Sequence, residues 1–336
     1  MLFVGIDLHK KIISLCVVNQ ERQVIQRKTL HCSQPDKIRE FFAQLGPFEA
    51  VVEATASYEW LWQLLEPLAQ RLVLAHPKKL RIIAESTRKS DKLDAQVLAE
   101  FLALDMIPQA YRPTARQRQH RVLVRQRCYV QRRITSVKNK LRRILSDYNA
   151  DRKDLFSSEG LAYLAEVQVS AADRFVLDQL RGLWEFLEEQ LTASAKELRA
   201  FARKAPAREA EARAVLESIP GVGVVTVDVV VSELGEVARF RSEKKVAAYA
   251  GLAPGQRESA GRSQELGISK QGSRLLRWAL VEAAWRLVQK SQRWETVYER
   301  LHKRRGKKKA IVAVARRLLG VMVALLRSGQ AYRLAG

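Results

Sequence analysis

Asp7, Glu53, Asp91 and Asp94 are the residues whose types and spacing best suit chemistry. Gly5-Ile6-Asp7 puts an aspartate at the polar end of an apolar strand. There the strand holds the carboxylate still, and the glycine admits a neighbouring backbone or a ligand. Glu53 ends the apolar run Ala50-Val51-Val52 in the same way, and Asp91 and Asp94, three apart on one helix, share a face. Hard oxygen donors on rigid elements are what Mg2+ or Mn2+ takes. Two such ions roughly 3.5–4 Å apart activate the attacking oxygen and stabilise the leaving one in phosphodiester cleavage. An aspartate pair at this spacing is commonly a solvated face or a helix cap, so the weight of the set lies in its placement on strand ends and one helix.

A second group gathers serines and cations. Arg257-Glu258-Ser259-Ala260-Gly261-Arg262 follows the Gly251-Leu252-Ala253-Pro254 turn as a polar loop, and Gly267-Ile268-Ser269-Lys270-Gln271-Gly272 precedes Arg274 and Arg277. A hydroxyl among cations can attack a phosphodiester while the cations stabilise the developing charge. By composition alone Ser259, Ser263, Ser269 and Ser273 are equivalent, and helix capping beside a phosphate-binding face explains them too. Ile219-Pro220-Gly221-Val222-Gly223, between two helical stretches, reads as a helix-hairpin-helix whose glycines Gly221 and Gly223 expose backbone N–H groups to a DNA phosphate. A plain helical hairpin turning on glycine is the alternative. Arg300 to Lys309, including Lys307 and Lys308, is dense enough in cations to bind polyanions without sequence preference. His9, His76, His120 and His302 lack metal-ligand spacing.

The elements that must position these residues begin with strand-like segments at Leu2 to Leu8, Ile12 to Val18 and Gln23 to Leu30. A helix from Asp36 to Leu45, a strand ending at Glu53, a helix around Trp60 to Ala69 and a strand at Arg71 to Ala75 follow. The order β-β-β-α-β-α-β predicts a mixed sheet covered by helices, an α/β arrangement of RNase H-like type. Beyond His76-Pro77 the pattern turns helical. Met106 to Ser146 holds no acid, while twelve Arg and Lys lie between Arg112 and Arg143. Leu123, Val130, Val137 and Ile144 recur there every seven residues, as do Leu177, Trp184, Leu191 and Leu198 further on, which is coiled-coil spacing within or between chains, or two amphipathic helices of a bundle. The carboxy-terminal part is expected to be all-α. The expected domains are 1–112, 113–205 and 206–336.

The 336 residues carry a net charge of +23, an excess that calls for an acidic partner, with nucleic acid the leading candidate. A membrane-surface role finds no support, because the best apolar run, Ala310 to Leu326, has Arg316 and Arg317 at its centre. No signal peptide precedes Met1-Leu2-Phe3-Val4, so a cytosolic location, at the nucleoid when active, is expected. Cys16, Cys32 and Cys128 are too scattered for a disulfide framework or a zinc knuckle.

Six motifs in series, Gly5-Ile6-Asp7, Val52-Glu53-Ala54-Thr55, Lys89 to Ala95, Ile219 to Gly223, Ala250 to Pro254 and Gly267 to Gly272, together resemble the DEDD insertion-sequence transposases of the IS110 family, relatives of the Piv-type invertases. The resemblance spans nearly the whole chain. It implies a RuvC-like domain whose Asp7, Glu53, Asp91 and Asp94 bind Mg2+, a coiled coil for dimerisation, and a carboxy-terminal domain supplying a serine nucleophile. The nucleophile falls on Ser259, a few residues after the Gly-Leu-x-Pro turn and preceded by Glu258; family members often have Ser-Gly here, whereas Ala260 intervenes in this chain. The resemblance further implies a structured bridge RNA pairing with donor and target DNA, and a synaptic dimer or tetramer. Arg125, Arg132, Arg133, Lys138 and Arg142 of the acid-free stretch are the expected contacts to its backbone, with Arg257, Arg262, Lys270 and Arg274 joining the DNA-binding set. Two other readings stand beside this one: a RuvC-like nuclease or junction resolvase using water, and a basic scaffold that binds nucleic acid without chemistry.

Overall fold

The computed structural model describes residues 1–55, 57–83, 91–259 and 262–333, and side chains within them except at 82–83, 91–93, 256–259 and 262–266. The chain divides into two compact units, Met1–Arg112 and Pro113–Gly336.

In the first unit, β1 (Leu2–Leu8), β2 (Ile12–Val18) and β3 (Val24–His31) form an antiparallel meander, followed by α1 (Pro35–Ala43), β4 (Phe48–Glu53), α2 (Glu59–Leu65), β5 (Arg71–Ala75), α3 (Pro77–Ile83) and α4 (Asp91–Ala103). The five strands lie in the order β3-β2-β1-β4-β5, with β4 parallel to both β1 and β5. Alternation along the strands divides the core between two faces. Val4, Ile6, Ala50 and Val52 pack with Ile38 and Phe42 of α1 and Leu61 and Leu65 of α2. Val51, Val73 and Ala75 pack instead with Leu98 and Leu102 of α4, and Cys16 and Val18 with Ala95 and Ala99. Apart from Phe42 and Cys16, these positions are the β-branched and aliphatic residues whose burial drives a sheet-on-helix fold.

The second unit opens with α5 (Ala115–Asp147), α6 (Ser158–Glu166) and α7 (Ala171–Arg203). α5 and α7 run antiparallel within one chain: Arg116 near the start of α5 donates to the Phe201 carbonyl, and Tyr148 after its end bonds Asp173. Their seam buries Val130, Ile134, Val137 and Leu141 against Leu177, Leu180, Trp184 and Leu187, so the two heptad faces fill each other. Then come α8 (Ala207–Glu217), α9 (Val224–Leu234), α10 (Glu243–Tyr249), β6 (Pro254–Ser259), β7 (Arg262–Ile268), α11 (Arg274–Lys290), α12 (Gln292–Arg305) and α13 (Lys307–Ser328). α9, α11 and α13 contribute most of the second core, with Val227, Val230, Leu276, Leu280, Val314 and Leu318 almost wholly buried.

The carboxy-terminal part is therefore not all-α, and the stretch around Ser259 is not a loop. β6 and β7 pair as an antiparallel hairpin from Pro254↔Ile268 to Ser259↔Arg262. Arg257, Glu258, Arg262, Ser263, Gln264 and Glu265 are polar at successive positions, so the strands lack the apolar alternation by which half-buried strands are read.

A buried polar network joins α5, α8 and α9. His120 Nε2 lies 3.0 Å from Asp228 Oδ1, Arg213 Nη1 donates to the same oxygen at 2.7 Å, and Arg213 also pairs with Glu209, which Arg116 reaches as well. Burial opposes the charge on Glu209, but the Arg116 and Arg213 guanidiniums outweigh it and hold the carboxyl below its ordinary value of 4.5. A depressed carboxylate contributes stability above its unfolded pKa and loses it as pH falls through the folded one. Glu209→Gln should accordingly cost about 1.5–3 kcal/mol near neutral pH, as loss of charged hydrogen bonds does. The gap to the parent should close below pH 4.5 in urea melts run at both pH values; an equal gap at both would exclude the ion pairs as its source.

Candidate active site

Asp7 and Glu53 meet at one end of two neighbouring parallel strands. The β1–β4 register runs through Gly5↔Val51 and Ile6↔Val52, which places Asp7 and Glu53 next in line. By alternation Asp7 is on the side of Phe3 and Gly5, and Glu53 on the side of Val51, so both belong to the face that α4 covers. Gly5 brings that helix close: a Cβ built there would lie 1.9 Å from the Ala95 carbonyl oxygen and 2.5 Å from the Ala99 nitrogen. Asp94 is the residue before Ala95, and Asp91 begins the same helix, one turn earlier. The glycine two residues before Asp7 thus lets the backbone of α4, the helix that carries Asp91 and Asp94, lie close against β1.

The Asp7 side chain is 15% exposed and accepts from His9 Nε2 at 3.0 Å. Asp94 is exposed, and the Asp91 side chain lies outside the described residues. Among the described residues, no three His, Cys, Asp or Glu are gathered closely enough to hold a metal ion. Two histidines passed over on spacing grounds stand near this end of the sheet. His9 contacts Asp7, and His76, directly after β5, has a buried Nδ1 with no hydrogen-bond partner among the described residues. Neither position carries a sequence signal beyond its adjacency to a strand end.

In the second unit, the motifs around Gly251 and Gly267 to Gly272 come together at the base of the β6–β7 hairpin. Ser269 N donates to the Ala253 carbonyl at 2.9 Å, and Lys270 N to the Gly251 carbonyl at 3.1 Å. Gly251 has φ +70° and a Cβ position 2.0 Å from the Gln271 carbonyl, so only glycine fits this crossing. Arg277 Nη1 ties the same turn through the carbonyls of Ala250, Gln271 and Gly272. Ser259 ends β6, opposite Arg262, and Ser263 pairs opposite Glu258. The side chains of Arg257, Ser259, Arg262 and Ser263 lie outside the described residues. Ser273 caps α11 by accepting from Leu276 N, Ser269, Lys270 and Arg274 are exposed, and Lys270 has φ +54°.

Between α8 and α9 the chain turns at Gly221 (φ +80°), whose Cβ position is 2.9 Å from Arg286 Cβ and 3.0 Å from its carbonyl carbon, so helix packing alone requires glycine there. Gly223 is the N-cap of α9, and a Cβ there would meet open space.

The cations of α5 divide by what they touch. Arg125 forms a two-point pair with the buried Glu233, Lys138 meets Glu188 at 3.3 Å, and Arg142 bonds Asp151 and the carbonyls of Arg152 and Lys153. Arg132 is exposed, and Arg133, also exposed, lies over the Tyr129 ring. Lys307, Lys308 and Lys309 are exposed in the first turn of α13, where cations oppose the helix dipole, so helix stability does not account for them.

A mixed sheet with carboxylates at its strand ends, covered by a helix bearing two more, is the frame of the RNase H-like metal-dependent DNA-cleaving enzymes. A profile described as "Transposase", of DEDD IS110 type, matches residues 4–150, and one described as "Transposase IS116/IS110/IS902 family" matches residues 213–299. The chain belongs to the IS110/IS116 family of transposases, enzymes that cut and rejoin DNA. It is 27% identical to the transposase for insertion sequence element IS1111A of Coxiella burnetii, over 98% of this chain and 90% of that one. A probable family 20 transposase of Pseudomonas aeruginosa is 24% identical over 98% of both chains. The transposase for insertion sequence element IS1328 of Yersinia enterocolitica is 24% identical over 84% of this chain and 82% of its own. No helix among the described residues is long and apolar enough to cross a membrane.

Proposed function

We propose that this transposase is an RNA-guided recombinase that uses Ser259 as nucleophile and Asp7, Glu53, Asp91 and Asp94 as its metal-binding acids. The observation that carries the acid assignment is the convergence of Asp7, Glu53 and the start of α4 on one sheet face through the contact at Gly5. The donors are all carboxylate oxygens, the type that Mg2+ or Mn2+ prefers. When bound, such an ion polarises the phosphodiester and neutralises charge on the leaving oxygen.

Ser259 Oγ attacks phosphorus, the bond from phosphorus to the 3′-oxygen breaks, and the released oxygen takes up the proton that the serine gives up. The DNA is left with a 3′-hydroxyl on one side and a 5′-phosphoserine on the other. Attack by a 3′-hydroxyl of the exchanged strand reverses the step, forming the new phosphodiester and freeing the serine. The bond energy is conserved throughout, so no external energy source is needed. The hairpin supports this assignment, since β6 and β7 hold Ser259 beside Arg262 in the backbone register.

In this reading Arg132, Arg133 and the lysines at the start of α13 hold nucleic-acid backbones, among them a structured bridge RNA that pairs with donor and target DNA. Gly221 and Gly223 form a helix-hairpin-helix contact to DNA phosphate. The protein works as a dimer or tetramer in the prokaryotic cytosol, on nucleoid DNA.

One preparation tests both parts. Nucleic acid co-purifying with the full chain should be dominated by one defined RNA, and bulk cellular RNA would count against guidance. Labelled DNA incubated with the protein and Mg2+, then denatured in detergent, should migrate with the polypeptide, and Ser259→Ala should abolish that species. An adduct persisting in Ser259→Ala would move the nucleophile elsewhere. Cut DNA with free ends and no adduct from the parent would favour water as nucleophile, as in a junction resolvase.

A further inference from the structure

A cavity of about 150 Å3 opens between α5 and α11 of the second unit, and neither Ser259 nor any of the four acids is among its lining residues. It is smaller than the roughly 300–1,000 Å3 of sites for drug-sized ligands, which suits one flat ring better than a whole cofactor. Cys128 and Leu275, both buried, form its floor. Burial pushes the Cys128 thiol upward in pKa, against the pull of Arg127 and Arg132, so it remains a neutral, apolar surface. The wall is Trp278, 44% exposed and, among the described residues, the one exposed tryptophan of the chain's six. Arg127 and Arg132 bring two guanidiniums to the rim, and Gln131 adds an amide. α5 supplies no acid along this stretch, and the acid of α11, Glu282, stands one turn past Trp278 and does not line the cavity.

We propose that this cavity binds an unpaired nucleotide of a nucleic-acid strand, with the base stacked on Trp278 and the phosphate held by Arg127 and Arg132. Guanidiniums alone would serve a duplex, whose bases are already stacked on one another. An exposed indole beside them adds affinity only for a base that has left its stack. Such nucleotides arise wherever strands are cut and exchanged, which is this family's chemistry, and the site depends neither on the serine nor on RNA guidance. The strand is DNA or RNA, since both offer the same ring and phosphate.

Binding of the full chain to fluorescent oligothymidylate, oligouridylate and a short duplex tests it. Trp278→Ala should weaken single-strand binding roughly 5- to 150-fold, the worth of one base–aromatic stack, and leave duplex affinity unchanged. Trp278→Phe should keep most of the affinity. Arg132→Ala should weaken binding and flatten its salt dependence. Loss in the thymidylate arm, the uridylate arm or both supports the site and names the strand it takes. Unchanged single-strand affinity, or equal loss for strand and duplex, overturns it. Should Trp278→Ala fail to fold, indole emission decides: oligonucleotide should quench the parent and not Trp278→Phe, and equal quenching of the two overturns the proposal.

Discussion

Asp7→Asn should lower single-turnover DNA cleavage by on the order of 10³-fold or more, a loss of several kcal/mol of transition-state stabilisation, without shifting the melting curve. Asparagine has the same shape and keeps an oxygen to accept from His9, whose Nε2 lies 3.0 Å from Asp7. What it lacks is the negative charge. A carboxylate that served only the fold would show the opposite pattern, a lower melting point and cleavage in proportion to folded protein. A chelator added to the parent should bring it to the level of the variant. Cleavage within tenfold of the parent would remove Asp7 from the chemistry.

Gly5→Ala is the second large effect, and it needs no chemistry at residue 5 itself. The added methyl would press on the Ala95 oxygen and the Ala99 nitrogen, both backbone atoms of α4, so no flexible side chain can yield. Overpacking a core costs typically about 1–3 kcal/mol, and a clash with helix backbone belongs at or above the top of that range. As α4 lifts, the backbone that carries Asp91 and Asp94 moves off β1, which on the proposed acid assignment parts the helical acids from Asp7 and Glu53. Cleavage should therefore fall even at temperatures where the variant remains folded, with denaturant melts and cleavage rates measured on the same sample. A variant that melts and cuts like the parent would show that α4 does not rest on Gly5.

The strands of the first unit are legible because β-branched and aliphatic residues alternate between two buried faces, as at Val4, Ile6, Val51 and Val73. That Asp7 and Glu53 fall side by side is not legible in the same way. It depends on a parallel register between strands some forty residues apart, and a shift of one residue would turn either acid to the other face. The hairpin carrying Ser259 escapes a reading by hydrophobicity because its strands are polar at successive positions, although the two residues separating Ser259 from Arg262 include Gly261, a hairpin signal. The heptads of α5 and α7 identify the faces that pack, yet their pairing within one chain rests on the fold. Arg125, Lys138 and Arg142 look uncommitted in an acid-free segment, but Glu233, Glu188 and Asp151, which meet them, come from later in the chain.

The first turn of α13 holds three neighbouring lysines at the positive end of a helix, directly after the cationic last turn of α12. In the free protein this corner stores electrostatic repulsion that nothing in the helix dipole relieves. Any polyanion that settles on it removes the repulsion as it binds, so part of the binding free energy reappears as folding stability. Occupancy and stability would be coupled there: a polyanion bound at this corner would make the folded chain more stable, and salt, which screens the repulsion and competes for the site, would act on both at once.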